Sequence, residues 1–213
     1  MPRIRQAQGI RPPELVPIRH RVPTEAWLWL FCAGTSAAVV AAVEIGAVSL
    51  ALSFDLPPGW AFVFATVLCV GSVSGGLWVS VSNRTPDARE VSLLLAGTAA
   101  GSALILLGGH VAMSLAGAAV IGFCLPSLDT FYSLTLDRLA PAHRRAEMFA
   151  HLRTADALGL ITISGLLALI GLRTAIVASF VLLLTALFLV ASQGRFPPAG
   201  SDAAGALTLD GRG

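Results

Sequence analysis

From Ala26 to Leu52 the chain carries a single ionisable side chain, Glu44, in a stretch longer than the roughly 20 apolar residues a helix needs to cross a bilayer. A core helix of a soluble protein would show a charged face over that length, and this stretch has none. Runs of the same character predict spans over 60–82, 91–108, 111–136, 149–170 and 174–192. Between them lie residues that turn the chain: Pro57-Pro58-Gly59, Asn83 to Asp87, Gly108-Gly109, Pro141-Ala142-His143 and Gly171 to Thr174. Only 12% of residues are charged, about half the usual share of a soluble domain, and mean hydropathy is +0.79. Too few charges remain to cover a water-facing surface. The expected fold class is all-α, a polytopic membrane protein with six transmembrane helices.

Three regions follow: an Arg/Pro-rich tail over 1–25, a six-helix bundle over 26–192 and a Gly/Ala/Pro/Asp-rich tail over 193–213, both tails too polar to build a core. The apolar run after the first tail exceeds the 7–15 residues of a signal-peptide core, so the first span is expected to stay in the membrane. Loops rich in Arg stay cytoplasmic. Five Arg lie in the first tail; Arg84, Arg89, Arg138, Arg144, Arg145, Arg153, Arg195 and Arg212 fall on the same side, and Arg173 alone opposes them. Both termini are therefore expected to be cytoplasmic, in the inner membrane of a bacterium, since an all-Arg basic complement suits a GC-rich bacterial gene. Trp27, Trp29, Trp60 and Trp78 sit near span ends, where such rings favour the headgroup layer.

A net charge of +2 and the lack of Arg clusters interleaved with aromatics exclude nucleic acid as a partner. The lipid bilayer is the expected one, and five juxtamembrane Arg can also attract anionic lipid. Cys32, Cys69 and Cys124 lie in apolar runs without metal-ligand spacing, so they read as small buried residues. No metal or other cofactor is expected.

Ionisable groups inside spans are costly and normally face protein or water. Glu44 falls about 27 Å from the start of the first span at 1.5 Å per residue. It reads either as a substrate, proton or gating contact or as a structural hydrogen bond. Asp129 follows Pro126 and shares a helical face with Tyr132 and Ser133, a face suited to a cavity lining or a helix interface, about 10 Å from the span end. Asp156 pairs by spacing with Arg153, as Glu147 does with His151; these read as local pairs or as parts of a proton relay. Gly71 and Gly75, and Gly97 and Gly101, are four apart and allow close helix approach. An intramembrane protease would need a base beside Ser74, and no His shares its depth. The chain does not read as an enzyme.

The order of six spans, the run Gly71-Ser72-Val73-Ser74-Gly75-Gly76-Leu77-Trp78 before an Arg-bearing loop, and Leu136-Asp137-Arg138-Leu139-Ala140-Pro141 with Ala146-Glu147-Met148-Phe149 resemble the C-terminal half of a bacterial major facilitator superfamily transporter. Val43-Glu44-Ile45 is similar to one branch, in which a Glu sits in the seventh of twelve helices. The resemblance covers about 26–192. It implies transmembrane transport of a small solute by alternating access, possible coupling to protons, and a cavity half lined by the first, fourth and fifth spans. Glu44, Asp129, Tyr132, Ser133 and Asp156 would form the substrate or proton pathway; Arg84, Arg89, Arg138 and Glu147 would form the gating charges of the cytoplasmic loops. Ser80 and Val81 stand where the family's loop motif has Asp and Arg. The family also has twelve helices around its cavity, so a second six-helix bundle, another copy or a separate chain, is an expected partner; the alternative is a truncated or accessory membrane protein without transport of its own.

Overall fold

The computed structural model describes residues 24–82, 88–140 and 144–193. The bulk of both tails, the loop with Arg84 and the turn at 141–143 lie outside it. The elements are α1 (Thr24–Glu44), α2 (Ala47–Leu52), a 3-10 turn (Pro58–Trp60), α3 (Ala61–Ser82), α4 (Ala88–Leu107), α5 (Val111–Leu139), α6 (Arg145–Leu169) and α7 (Leu172–Gln193). Six helices are long and apolar enough to cross a membrane, and the described residues hold no strand. The protein is an all-α, multi-pass integral membrane protein.

The first expected span, continuous over 26–52, is instead broken at Ile45-Gly46. A Cβ on Gly46 would collide with the Ala42 carbonyl oxygen and lie 2.9 Å from Leu172 Cδ1. The missing side chain thus lets the chain fold back on its own carbonyl and pack on the α6–α7 turn. Glu44 is consequently the last residue of a spanning helix, and its side chain is exposed. The expected continuous span running through Glu44 in its outer half is corrected: α1 ends there.

At other boundaries the helices outrun hydropathy. α4 begins at Ala88, α5 continues to Leu139 and α6 begins at Arg145, because Arg and Glu are good helix formers even where they are too polar for hydrocarbon. α5, at 29 residues, is about 43 Å long, more than the roughly 30 Å hydrocarbon core. Its end therefore projects. The turn between α6 and α7 uses Gly171 at φ 115, where a side chain would be strained.

Two sets of three spans share one packing scheme. The first set is α1 with α2, α3 and α4; the second is α5, α6 and α7. α3 packs chiefly on α5, and its counterpart α6 packs chiefly on α1; α4 lies on α5, and its counterpart α7 on α1. The remaining large contacts join counterparts directly, α1 with α5 and α4 with α7. Glycines make the two main interfaces alike. A Cβ on Gly71 would sit 2.7 Å from the Ala119 carbonyl oxygen, and one on Gly122 would strike that of Leu68; a Cβ on Gly34 would sit 2.9 Å from the Ala155 oxygen, and one on Gly159 would strike that of Gly34. Gly75, Gly97 and Gly101 also face α5, so the spaced glycines serve packing within the bundle.

Outward hydroxyls are satisfied within their own helices. Thr66 donates to Phe62 O, Thr154 to Ala150 O, Thr162 to Leu158 O and Thr185 to Val181 O, at 2.7 to 2.9 Å. In hydrocarbon, polar groups have no water to turn to, and this bond lets threonine face lipid. Trp27, Trp60 and Trp78 are exposed near helix ends. Trp29 departs from the expected belt, turning inward with its ring 5.0 Å from Phe131. Cys32 and Cys124 are buried, whereas Cys69, expected to be buried, is exposed on α3.

Candidate functional site: an aspartate cleft between the two helix sets

Where the two sets meet, a cleft of about 480 Å³ opens between α1, α3, α5 and α6. Each set contributes its first two spans. The walls are mostly apolar, with Val40, Ala41, Leu125 and Leu160 among them, and the charged lining groups are Asp129 and Asp156. Pro126, one turn from Asp129, also lines the cleft. It has no N–H to give to the carbonyl four residues before it, and its own carbonyl accepts a bond from Thr130 Oγ1 at 2.7 Å.

The two aspartates stand at matched depth. Asp129 lies about 15 Å before the end of α5, and Asp156 about 16 Å after the start of α6, at 1.5 Å per residue. These two helices follow one another through a short turn, so both distances run from the same end. Both helix ends run on beyond the apolar runs, so these distances include polar turns at the bundle end. Asp156 bonds Arg153 Nη1 at 3.5 Å, from an Arg side chain that is 84% exposed. Asp129 has no hydrogen bond or ion pair among the described residues, and Arg153 acts on it only at longer range.

The other expected pathway residues are distributed differently. Tyr132 is wholly buried behind the cleft, its hydroxyl 3.2 Å from Ser36 Oγ on α1, so it braces α1 against α5 and is turned away from the opening. Ser133 is half-buried and outside the lining. Glu44 is exposed at the end of α1 and is likewise outside it. The structure brings together Asp129 and Asp156 from the expected set, and adds Ser72 of α3 as a polar lining group. Ser72 carried no distinguishing signal beyond its place among small residues.

Charged residues gather where α5 hands over to α6. Asp137 Oδ1 lies 3.2 Å from Arg145 Nε, tying the end of one helix to the start of the next. Glu147 takes Arg144 at 3.5 Å and His151 at 3.9 Å. The spacing-based pairs Glu147–His151 and Arg153–Asp156 are therefore both present. Arg138 in the last turn of α5 and Arg89 in the first turn of α4 are exposed; Arg84 lies outside the described residues. Ser74 donates its hydroxyl to the Gly71 carbonyl of its own helix at 2.7 Å, an arrangement that activates no nucleophile. Comparison of the sequence with protein-family models and with curated proteins returns no match.

Proposed function

We propose that the chain is one half of a major facilitator-type secondary transporter, carrying a small solute across a bacterial inner membrane by alternating access, with both termini cytoplasmic. The observation that carries this reading is the cleft. Two carboxylates at matched distances from the α5–α6 end line a concavity built from both helix sets, although ionisable side chains within membrane spans are costly. Such groups are kept where they meet an ion or a solute.

The packing scheme supports the same reading. Three spans in each set mean that the second set enters the membrane from the side opposite to the first. Like pairings in two sets of opposite orientation suit a nested inverted repeat, with the binding site at the repeat interface. In this scheme Asp129 and Asp156 meet the solute or a coupling proton, and Tyr132 holds the two leading helices together. The charged turn with Arg138, Arg145 and Glu147, together with Arg84 and Arg89, forms the cytoplasmic gate.

The cleft is open along one side, so the chain supplies one wall. A second bundle, another copy or a separate six-helix chain, completes the cavity. The same openness favours a second reading, an accessory membrane subunit that transports nothing by itself. The two part in liposomes. Purified chain of oligomeric state fixed by cross-linking is reconstituted with an internal pH dye and offered a panel of cationic, neutral and anionic solutes. The transporter reading expects solute-driven proton movement from the assembled form and none from the monomer, falling about tenfold or more in Asp129→Asn, the equivalent of 1.4 kcal/mol. Transport by a strict monomer, or flux unaltered in Asp129→Asn/Asp156→Asn, overturns it.

A further inference from the structure

Arg153 stands one turn before Asp156 on α6, nearer the charged end of the bundle, and its pairing with that aspartate is loose. A charge-assisted bond closes to about 2.7–2.9 Å. Arg153 Nη1 stops 3.5 Å from Asp156 Oδ2, on a side chain that is 84% exposed, and exposed pairs of this kind hold weakly. The other arginines at the start of α6 have acids of their own, Arg145 on Asp137 and Arg144 on Glu147. Arg138 is nine residues along α5 from Asp129, about 13 Å, and is outside the cleft lining. Among the described residues Arg153 is thus the cation that serves both aspartates, Asp156 by direct contact and Asp129 at longer range.

Two carboxylates against one guanidinium at the rim leave the cleft with a negative excess. An anionic solute would meet that excess in surroundings of low dielectric, where like charges repel strongly, and a neutral one would leave it unanswered. The walls decide between kinds of cation. A metal ion takes several ligands at once, and the described residues hold no group of three His, Cys, Asp or Glu that could supply them. Val40, Ala41, Leu125 and Leu160 instead present apolar surface around a volume of about 480 Å³, within the roughly 300–1,000 Å³ of a small-molecule site.

We propose that Arg153 is a displaceable counter-ion: an organic cation with an apolar body enters the cleft, takes the place of the guanidinium at Asp156 and answers the charge of Asp129. Arg153 sets specificity by competition, since a cation too weakly held by the walls does not displace it. This inference rests on the reading of the cleft as the solute site, and adds the solute's charge class and a specificity residue outside the lining.

Equilibrium binding of tetraphenylphosphonium and tetraphenylborate, matched in size and opposite in charge, tests it on the full chain in nanodiscs of zwitterionic lipid, corrected for protein-free discs. The phosphonium should bind saturably and the borate should not. Asp129→Asn should weaken phosphonium binding about fivefold or more, and Arg153→Gln, which removes the competitor, should strengthen it about threefold or more, changes that one nearby charge readily produces at an effective dielectric of about 20. Arg153→Lys should bind as the unaltered chain does. An arginine that merely braced α6 would weaken binding when removed. Absence of saturable phosphonium binding, equal binding of the borate, or Arg153→Gln binding phosphonium no more tightly than the unaltered chain overturns the proposal. Because flux is not read, the two failures separate: a chain that binds the cation yet carries nothing in liposomes contradicts the transporter reading alone, and one that carries a neutral or anionic solute yet binds no phosphonium contradicts this inference alone.

Discussion

Ser36 Oγ and Tyr132 Oη lie 3.2 Å apart inside the bundle, a hydrogen bond between the leading helices of the two sets. Tyr132 is fully buried, and its ring lies 6.3 Å from that of Trp29. The hydroxyls therefore have each other and no water. Buried bonds between membrane helices average about 0.6 kcal/mol and reach about 1.7. Tyr132→Phe and Ser36→Ala are each expected to destabilise the bundle by about that amount, and the double variant by less than their sum. Unfolding in mixed micelles measures all three; strictly additive effects contradict the pairing.

The glycine contacts sort substitutions by sign. A Cβ at Gly75 or Gly159 would strike the backbone of the facing helix, whereas one at Gly165 meets nothing within 4 Å. Gly75→Ala and Gly159→Ala should each cost about 1–3 kcal/mol through overpacking. Gly165→Ala lies in a helix interior and should be neutral or stabilising by up to about 1 kcal/mol. Thermal stability in one detergent ranks the three, and similar losses at all three positions contradict the packing scheme.

Much of this was legible because a membrane span is written in local composition. Six apolar runs became six spanning helices, and the spaced glycines became contact faces. Side-chain direction was less legible. Asp129 and Tyr132 share one side of α5 by spacing, yet about 60° around the helix is enough to put them on either side of the contact with α1. That angle sends Tyr132 into the core and Asp129 into the cleft. The break at Gly46 was hidden because hydropathy is blind to a missing Cβ, and it left Glu44 as the last residue of α1. The start of α6 was hidden for a different reason, since its charged first turns are helical without being apolar.

Glu44 and Asp129 therefore carry different expectations. Exposed at the break after α1, Glu44 is outside the cleft lining and should tolerate Glu44→Gln with transport changed by about twofold or less, under 0.5 kcal/mol. Asp129→Asn should impair it severely. Parallel flux measurements on the two variants decide, and a larger loss in Glu44→Gln would return the pathway to the end of α1.

The distribution of arginine predicts orientation. Alkaline phosphatase fused after Leu169, at the end of α6, should be active, because that enzyme matures only outside the cytoplasm; fused after Leu139, at the end of α5, it should be silent. The reverse pattern contradicts cytoplasmic termini.

The central claim is that Asp129 and Asp156 line one water-accessible cleft at the same depth in the membrane. In a chain with Cys32, Cys69 and Cys124 replaced by serine or alanine, Asp129→Cys and Asp156→Cys are labelled in liposomes with a charged, membrane-impermeant maleimide, beside Val73→Cys on the exposed apolar face of α3. Both cleft positions should label from the same side of the membrane at comparable rates, and Val73→Cys should not label. Labelling of neither aspartate position from either side, or labelling from opposite sides, would contradict the account.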